Sequence, residues 1–208
     1  MVDATRYWDR IAEGYAKSPV KDEESYRHTL DRVKAHLEPG FRVLEIGCGT
    51  GTTALHLAKD VREIVATDIS SAMIDIANRK ATEQQVENAS FATEDTLLAG
   101  RTDGPFDAVL AFNLFHLLRD PADRIADAMK LVRPGGLFIS KTTCLKGANP
   151  IYPIAVPIMR LIGKAPYVGF FKIDALESMV ANAGGEIVET GTFPKSPPSR
   201  FIVARKPG

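Results

Sequence analysis

The middle of the chain alternates short apolar runs with segments of helical periodicity. The apolar runs predict strands at 42–46, 63–67, 88–93, 106–112 and 136–141. The segments between them predict helices at 52–60, 71–83 and 121–132. Strands separated by helices of this length indicate βαβ units, and consecutive βαβ units build a parallel sheet.

The pattern changes towards the C-terminus. Residues 174–183 have helical periodicity, and two strands are predicted at Glu186–Phe193 and Arg200–Arg205. The loop between these strands is short and rich in proline. A short loop favours a hairpin, so the last two strands are expected to pair antiparallel at one edge of the sheet.

Two segments lie outside this alternation. Residues 4–37 predict helices, in which Tyr7, Trp8, Ile11 and Tyr15 recur at helical spacing. That stripe can pack on the sheet or cover a ligand site. Residues 145–172 are apolar, aromatic and broken by prolines, and Arg160 and Lys164 interrupt the roughly 20 apolar residues that a membrane span needs. We expect a lid there, with a dimer surface or a membrane contact as alternatives.

Composition narrows the class of protein. The 208 residues predict a single domain, spanning 1–208, with 1–38 as a helical cap. Lysine plus arginine and aspartate plus glutamate both number 26, so the balanced charge argues against a nucleic-acid partner. Cys48 and Cys144 are too far apart in sequence to indicate a zinc site or a disulfide framework. The N-terminus lacks the apolar core of a signal peptide, so the expected location is cytoplasmic.

The first predicted strand runs into three closely spaced glycines. The run Arg42-Val-Leu-Glu-Ile-Gly-Cys-Gly-Thr-Gly51 ends an apolar strand in an acid and a glycine turn, and a predicted helix follows. The free N–H groups of that helix would point at whatever Gly47, Gly49 and Gly51 cradle. A dinucleotide fingerprint would need its third glycine at Thr52, and no Gly-Lys-Ser/Thr follows for a phosphate loop.

The segment Glu45-Ile-Gly-Cys-Gly-Thr-Gly51 resembles motif I of the class I S-adenosylmethionine (SAM)-dependent methyltransferases, in the ubiquinone/menaquinone-biosynthesis-like branch. The resemblance covers residues 40–143, with support from 173–205. It implies an α/β fold of the Rossmann-like three-layer type. The expected sheet has seven strands, mostly parallel, with the antiparallel hairpin at its C-terminal edge and the 145–172 insertion after the fifth strand.

The resemblance implies a set of cofactor-binding residues. Asp68, at the end of the second strand, would accept both ribose hydroxyls, although an acid there also binds the ribose of NAD. The acid that accepts from the adenine amino group would be Asp95 or, less favoured, Glu94, with a backbone N–H nearby. The remaining expected cofactor contacts are Tyr15, Glu45, Gly47, Cys48, Gly49, Gly51, Ile69, Met73, Thr96, Asn113 and Leu114.

Four of these residues have more specific expected roles. Backbone carbonyls at Asn113 and Leu114 could accept from the SAM ammonium. Glu45 could orient the glycine loop or reach the same ammonium through water. Tyr15 could face the site, because the N-terminal region often folds over the cofactor in this family.

The chemistry expected is transfer of the sulfonium methyl to an oxygen, nitrogen or carbon of a small apolar or aromatic acceptor. His116 is a candidate base, although a pKa of about 6.5 facing a phenol near 10 means roughly 5 kcal/mol of uphill proton transfer; packing beneath the loop is its alternative role. No metal is expected, because the acidic metal ligands of the catechol methyltransferases have no counterpart here. The alternatives are a SAM-binding sensor without transfer activity and an NAD-dependent oxidoreductase.

Overall fold

The protein is described by a computed structural model that covers residues 4–94 and 104–208. Its helices and strands follow the predicted alternation. They are α1 Ala4–Lys17, α2 Glu23–Lys34, β1 Arg42–Ile46, α3 Thr52–Ala58, β2 Glu63–Asp68, α4 Ser71–Glu83, β3 Ala89–Thr93, β4 Phe106–Phe112, a 3-10 turn Phe115–Leu117, α5 Pro121–Leu131, β5 Val132–Thr143, α6 Tyr152–Leu161, α7 Ile173–Asn182, β6 Glu186–Lys195 and β7 Pro198–Arg205.

The described strands form one seven-stranded sheet in the order β3-β2-β1-β4-β5-β7-β6. The five strands from β3 to β5 are parallel, and β7 pairs antiparallel with both β5 and β6. The predicted fold class, including the C-terminal antiparallel hairpin, is therefore confirmed. Strand order reverses between β1 and β4, which creates the switch point where open parallel sheets bind their ligands.

Helices cover both faces of the sheet because the parallel strands β1, β2, β4 and β5 are buried and largely apolar on both sides. On one face, Leu44, Val109 and Phe138 pack against α5 and α7. On the other face, Val43 and Ile64 pack against α2 and α3. Helix α1 lies outside these two layers and packs mainly on α4.

Strands β5, β6 and β7 each extend at least two residues beyond their predicted bounds. Strand β5 begins at Val132 rather than 136, and its pairing with β4 shifts register between Phe106 and Ala108. In the hairpin, pairing continues as far as Lys195 and Pro198, so β6 contains Pro194. Proline is tolerated in β6 because β6 is the edge strand, where a missing N–H need not meet a neighbour.

The apolar segment 145–172 contains a helix, α6, in which no residue is buried. Within the described ranges, no helix has both the length and the apolarity needed to cross a membrane. The segment contacts the rest of the molecule on two sides: Arg10 Nη2 donates to the Gly163 carbonyl at 2.6 Å, and Gly169 N donates to the His116 carbonyl at 2.7 Å.

Candidate active site

A cavity of about 740 Å³ lies over the carboxyl ends of β1, β2 and β4, at the switch point of the sheet. The sheet supplies its floor and the glycine loop supplies one side. Helices α1 and α2 and the segment between them supply the roof. The lining residues are Ala4, Trp8, Tyr15, Ala16, Ser18, Pro19, Val20, Lys21, Tyr26, Glu45, Gly47, Cys48, Gly49, Thr50, Thr52, Thr53, Asp68, Ile69, Met73, Phe112, Asn113, Leu114, Leu117 and Leu118.

The three glycines of the loop all have positive φ angles, but the space available for a Cβ differs among them. A Cβ on Gly47 would lie 2.8 Å from Leu114 Cδ1, and one on Gly51 would lie 2.6 Å from Phe91 Cε1. Gly49, with φ +54°, has no atom within 4 Å of that position. Gly47 and Gly49 line the cavity, whereas Gly51 is required for packing of the loop on β3 and α4.

Asp68 is held in place by the backbone around it. Its Oδ2 accepts from Gly49 N at 2.8 Å, and its Oδ1 accepts from Ser70 N at 3.0 Å. Burial raises the pKa of Asp68, and these backbone donors oppose the rise. The carboxylate therefore ties the glycine loop to the end of β2 while it faces the cavity, with lone pairs left for a ligand.

Glu45 is a carboxyl group in the cavity floor. The residue is 2% exposed, and its Oε2 has no hydrogen-bond partner within the described residues. Burial, followed by repulsion from Asp68, raises its pKa to about 8. A buried polar atom without a partner costs free energy, so this oxygen favours a ligand that can donate to it or carry positive charge.

Asn113 and Leu114 follow β4 and form the opposite wall. Asn113 has φ +54°, and its N–H donates to the Lys141 carbonyl at 2.8 Å. The left-handed conformation turns the chain away from β5 at this point, and asparagine adopts it more readily than most residues. Both residues line the cavity, and their contact with the SAM ammonium stays a prediction.

Helix α1 places aromatic side chains over the site. Trp8 and Tyr15 meet edge to face, with ring centroids 6.4 Å apart, and both line the cavity. The helix is fixed by Asp9, whose Oδ1 accepts from Ser70 Oγ at 2.6 Å, directly beside Asp68. Helix α1 therefore both packs on α4 and covers the cavity.

Two contributions escaped the sequence analysis. Tyr26 of α2 lines the cavity, and its hydroxyl lies 3.4 Å from Thr53 Oγ1 at the start of α3. Lys80 of α4 holds the glycine loop from outside: its Nζ donates to Thr50 Oγ1 at 2.9 Å and to Thr52 Oγ1 at 3.0 Å. Neither position belongs to a motif, so only the folded chain reveals these contacts.

The structure describes three of the five residues expected near adenine. Ile69 and Met73 line the cavity, but Glu94 is not among the lining residues; its N–H donates to the Asp68 carbonyl at 2.9 Å. Asp95 and Thr96 lie outside the described residues. Their predicted role towards adenine therefore stays a prediction.

His116 lies in the 3-10 turn behind the cavity wall. Leu117 and Leu118 line the cavity and His116 does not. Its Nδ1 is buried without a hydrogen-bond partner in the described part of the chain, and burial lowers the pKa of the ring to about 4. This placement agrees better with packing beneath the loop than with proton transfer, and the role as a base stays a prediction.

Comparison with known proteins agrees with the geometry. Residues 43–136 match the family model described as "Methyltransferase domain". The ubiquinone biosynthesis O-methyltransferase of Xanthomonas axonopodis pv. citri is 32% identical over 193 residues, which cover 87% of this chain and 76% of the relative. The enzyme of the same name from Alkalilimnicola ehrlichii is 34% identical over 141 residues, 67% of this chain and 55% of the relative.

Solved structures show the same fold. The magnesium protoporphyrin IX methyltransferase of Synechocystis PCC 6803, solved with bound S-adenosylhomocysteine (SAH), superposes with a TM-score of 0.71 at 21% identity, covering 97% of this chain and 93% of that one. The chain belongs to the class I SAM-dependent methyltransferases, and SAM is its cofactor. Within that class, the curated relatives named above are O-methyltransferases of ubiquinone biosynthesis.

Proposed function

We propose that this enzyme methylates a hydroxyl oxygen on an aromatic ring of a small, apolar acceptor. The similarity over 87% of the chain to an O-methyltransferase of ubiquinone biosynthesis is the observation that carries this proposal. Ubiquinone is an aromatic-derived ring with methoxy groups and a long apolar tail, so its precursors offer that chemistry. The apolar lining side chains Trp8, Val20 and Leu118 fit such an acceptor.

The cofactor is proposed to span the switch point. Asp68 would accept the ribose hydroxyls, and Ile69 and Met73 would cover the adenine. The carbonyls of Asn113 and Leu114, together with Glu45, would face the ammonium. The glycine loop leaves room for the methionine part because the position beside Gly49 is open.

In the reaction, the acceptor oxygen attacks the SAM methyl carbon in line with the departing sulfur. The new C–O bond forms as the C–S bond breaks, the sulfur keeps the electron pair, and the hydroxyl proton leaves to solvent or a base. The methyl is already activated by the sulfonium, so the chain's own task is to hold the two partners in line and keep water out.

We propose four further properties of this enzyme. The sulfonium supplies the activation, so we expect transfer to proceed without a metal ion and to be insensitive to a chelator. We also retain a single domain over 1–208, a cytoplasmic location and the lid role of 145–172. The lid role is supported by the hydrogen bond from Gly169 N to the His116 carbonyl, because the next two residues, Leu117 and Leu118, line the cavity.

The test is methyl transfer from radiolabelled SAM to a matched set of acceptors. A 1,2-dihydroxybenzene carrying a farnesyl chain is expected to be methylated. The same ring without the chain should react with a higher KM, and the ring with both hydroxyls removed should not react. Methylation of an amine analogue in preference to the hydroxyl would contradict O-methylation. Equal KM with and without the chain would contradict the apolar acceptor.

A further inference from the structure

The carboxyl group of Glu45 occupies an unusual place for an acid. It lies on the central strand β1, where its register partners Ala66 and Leu110 are fully buried and apolar. Glu45 lines the cavity, no ion pair of the described residues involves it, and its buried Oε2 has no hydrogen-bond partner among them. A buried carboxylate with neither counter-ion nor donor is costly, so the protein favours the neutral acid there.

The charges around the cavity also favour the neutral form of Glu45. The nearest acid is Asp68, whose carboxylate repels a second negative charge and is already stabilised by backbone N–H groups. Cys48, Tyr15 and Tyr26 also line this cavity, and burial raises the pKa of each one. They are therefore neutral at pH 7 and offer Glu45 no positive charge.

Among the described residues, the cavity lining contains one cationic side chain. Lys21 lines the cavity, and Lys80 donates to threonine oxygens on the outer side of the glycine loop. A histidine, His56, packs on Tyr26 with ring centroids 6.2 Å apart, and its Nδ1 lies 2.8 Å from the Thr52 carbonyl. None of these three side chains forms a recorded hydrogen bond or ion pair with Glu45.

We propose that Glu45 is protonated in the free enzyme and gives up that proton when SAM binds, so that cofactor binding releases a proton. This rests on the proposed placement of SAM in the cavity. The cofactor carries a sulfonium, an ammonium and a carboxylate, a net charge of +1. The step balances as neutral Glu45 plus cationic SAM giving the Glu45 carboxylate–SAM complex plus one proton in solvent.

The cation thereby supplies the counter-charge that the folded chain lacks. Its binding must then tighten as pH rises, because less work is needed to remove the Glu45 proton. With the pKa near 8, the association constant should increase by close to tenfold for each pH unit between 6 and 7.5. The same coupling keeps two adjacent carboxylates from being charged together in the empty site.

Calorimetric titration of SAM into the whole enzyme at pH 6.5, in phosphate and in imidazole buffer, measures the protons released. The two buffers differ in ionisation enthalpy, so release of about one proton appears as a difference in the observed heat. Glu45→Gln should bind SAM with no such difference and with no pH dependence from 6 to 7.5. The control His56→Gln, on an exposed side chain outside the cavity lining, should release as much as the wild type.

The outcomes separate the two proposals. SAM binding with equal heats in both buffers overturns the proton release but leaves the methyltransferase assignment intact, whereas no SAM binding overturns both. Release that persists in Glu45→Gln, or that disappears in His56→Gln, assigns the proton elsewhere and overturns the inference. If Glu45→Gln does not fold, infrared difference spectra of wild-type protein labelled with 13C-glutamate decide: SAM must remove a protonated-carboxyl band that shifts with the label.

Discussion

At the scale of single residues, Asp68 holds the glycine loop and is proposed to bind the ribose of SAM, and the two roles can be separated experimentally. Its two oxygens accept backbone N–H groups on either side of the cavity rim, and the carboxylate also faces the expected ribose. Loss of the side chain should therefore affect both the loop and the ligand. The charge-assisted bonds to ribose would each contribute about 1.5–3 kcal/mol.

We expect Asp68→Ala to weaken SAM binding by at least tenfold, measured by calorimetry. The matched control Asp75→Ala removes an exposed aspartate from the outer face of α4 and should leave the affinity unchanged. Thermal unfolding of both variants shows how much of the loss comes from the loop itself. Unchanged affinity in a folded Asp68→Ala protein would remove Asp68 from the cofactor site.

His116 is a candidate base whose burial limits its ability to accept a proton. A ring with its pKa lowered to about 4 by burial is neutral at pH 7 and a weak proton acceptor. We therefore expect His116→Gln to reduce kcat by less than about threefold and to leave the acid limb of the pH–rate profile in place. A loss above a hundredfold in kcat, with normal unfolding temperature and SAM affinity, would instead establish the base.

At the scale of elements, α4 does more than cross from β2 to β3. Lys80, near its C-terminal end, reaches back to the glycine loop and donates to Thr50 and Thr52, both of which line the cavity. Its acceptors are all neutral oxygens, so the ammonium acts as a clamp on loop geometry. Gly51 also lies close to Ala77 and Phe91, so the loop packs on α4 and β3 beside these bonds.

Lys80→Met keeps the length of the side chain and removes its donors. Loss of these charge-assisted bonds, each worth about 1.5–3 kcal/mol, should raise the KM for SAM by at least roughly threefold while kcat at saturating SAM changes little. The control Asn78→Ala, at an exposed position on the same helix, should change neither constant. A fall in kcat with unchanged KM would show that Lys80 affects the chemical step instead of loop geometry.

The same elements show what the sequence could and could not predict. Parallel strands are continuous apolar runs ended by glycine or acid, so their positions, and the residues at their carboxyl ends such as Asp68 and Asn113, could be located directly. Tyr26 and Trp8 could not, because a helical stripe does not show which layer it covers. Likewise, no local pattern shows that β6 is an edge strand. Pro194 is therefore predicted to lie in the loop, although it lies within the strand.

At the scale of the whole molecule, α2 connects the roof of the cavity to the body of the sheet. Its Tyr26 lines the site, and Thr29 on the same helix accepts from Lys141 Nζ at 2.8 Å, which fixes α2 to β5. Lys141 is 7% exposed, and burial lowers its pKa to about 8. Helix α2 therefore holds the roof of the cavity in a fixed position relative to the sheet.

A second tie joins the far end of α2 to the edge strand. Glu189 of β6 accepts from Arg32 Nε at 2.7 Å, and His36 Nε2 lies 2.7 Å from the same carboxylate. The Arg32 hydrogen bond is the main reason that the pKa of Glu189 falls to about 2. A depressed folded-state pKa means that the tie stabilises the fold above pH 4.5, the ordinary value, and that this stabilisation is lost as pH falls towards 2.

Glu189→Gln should therefore lower the unfolding temperature by a few degrees at pH 6, since both partners are partly solvated and such pairs contribute modestly. The difference from wild type should shrink as pH falls from 4.5 towards 2, because the wild-type carboxylate then takes up a proton. The control Glu186→Gln changes an exposed acid of the same strand and should show no such pH dependence. A wild-type–variant difference that stays constant from pH 6 to 3 would mean that Glu189 acts through packing, and that the charge does not hold α2 against the sheet.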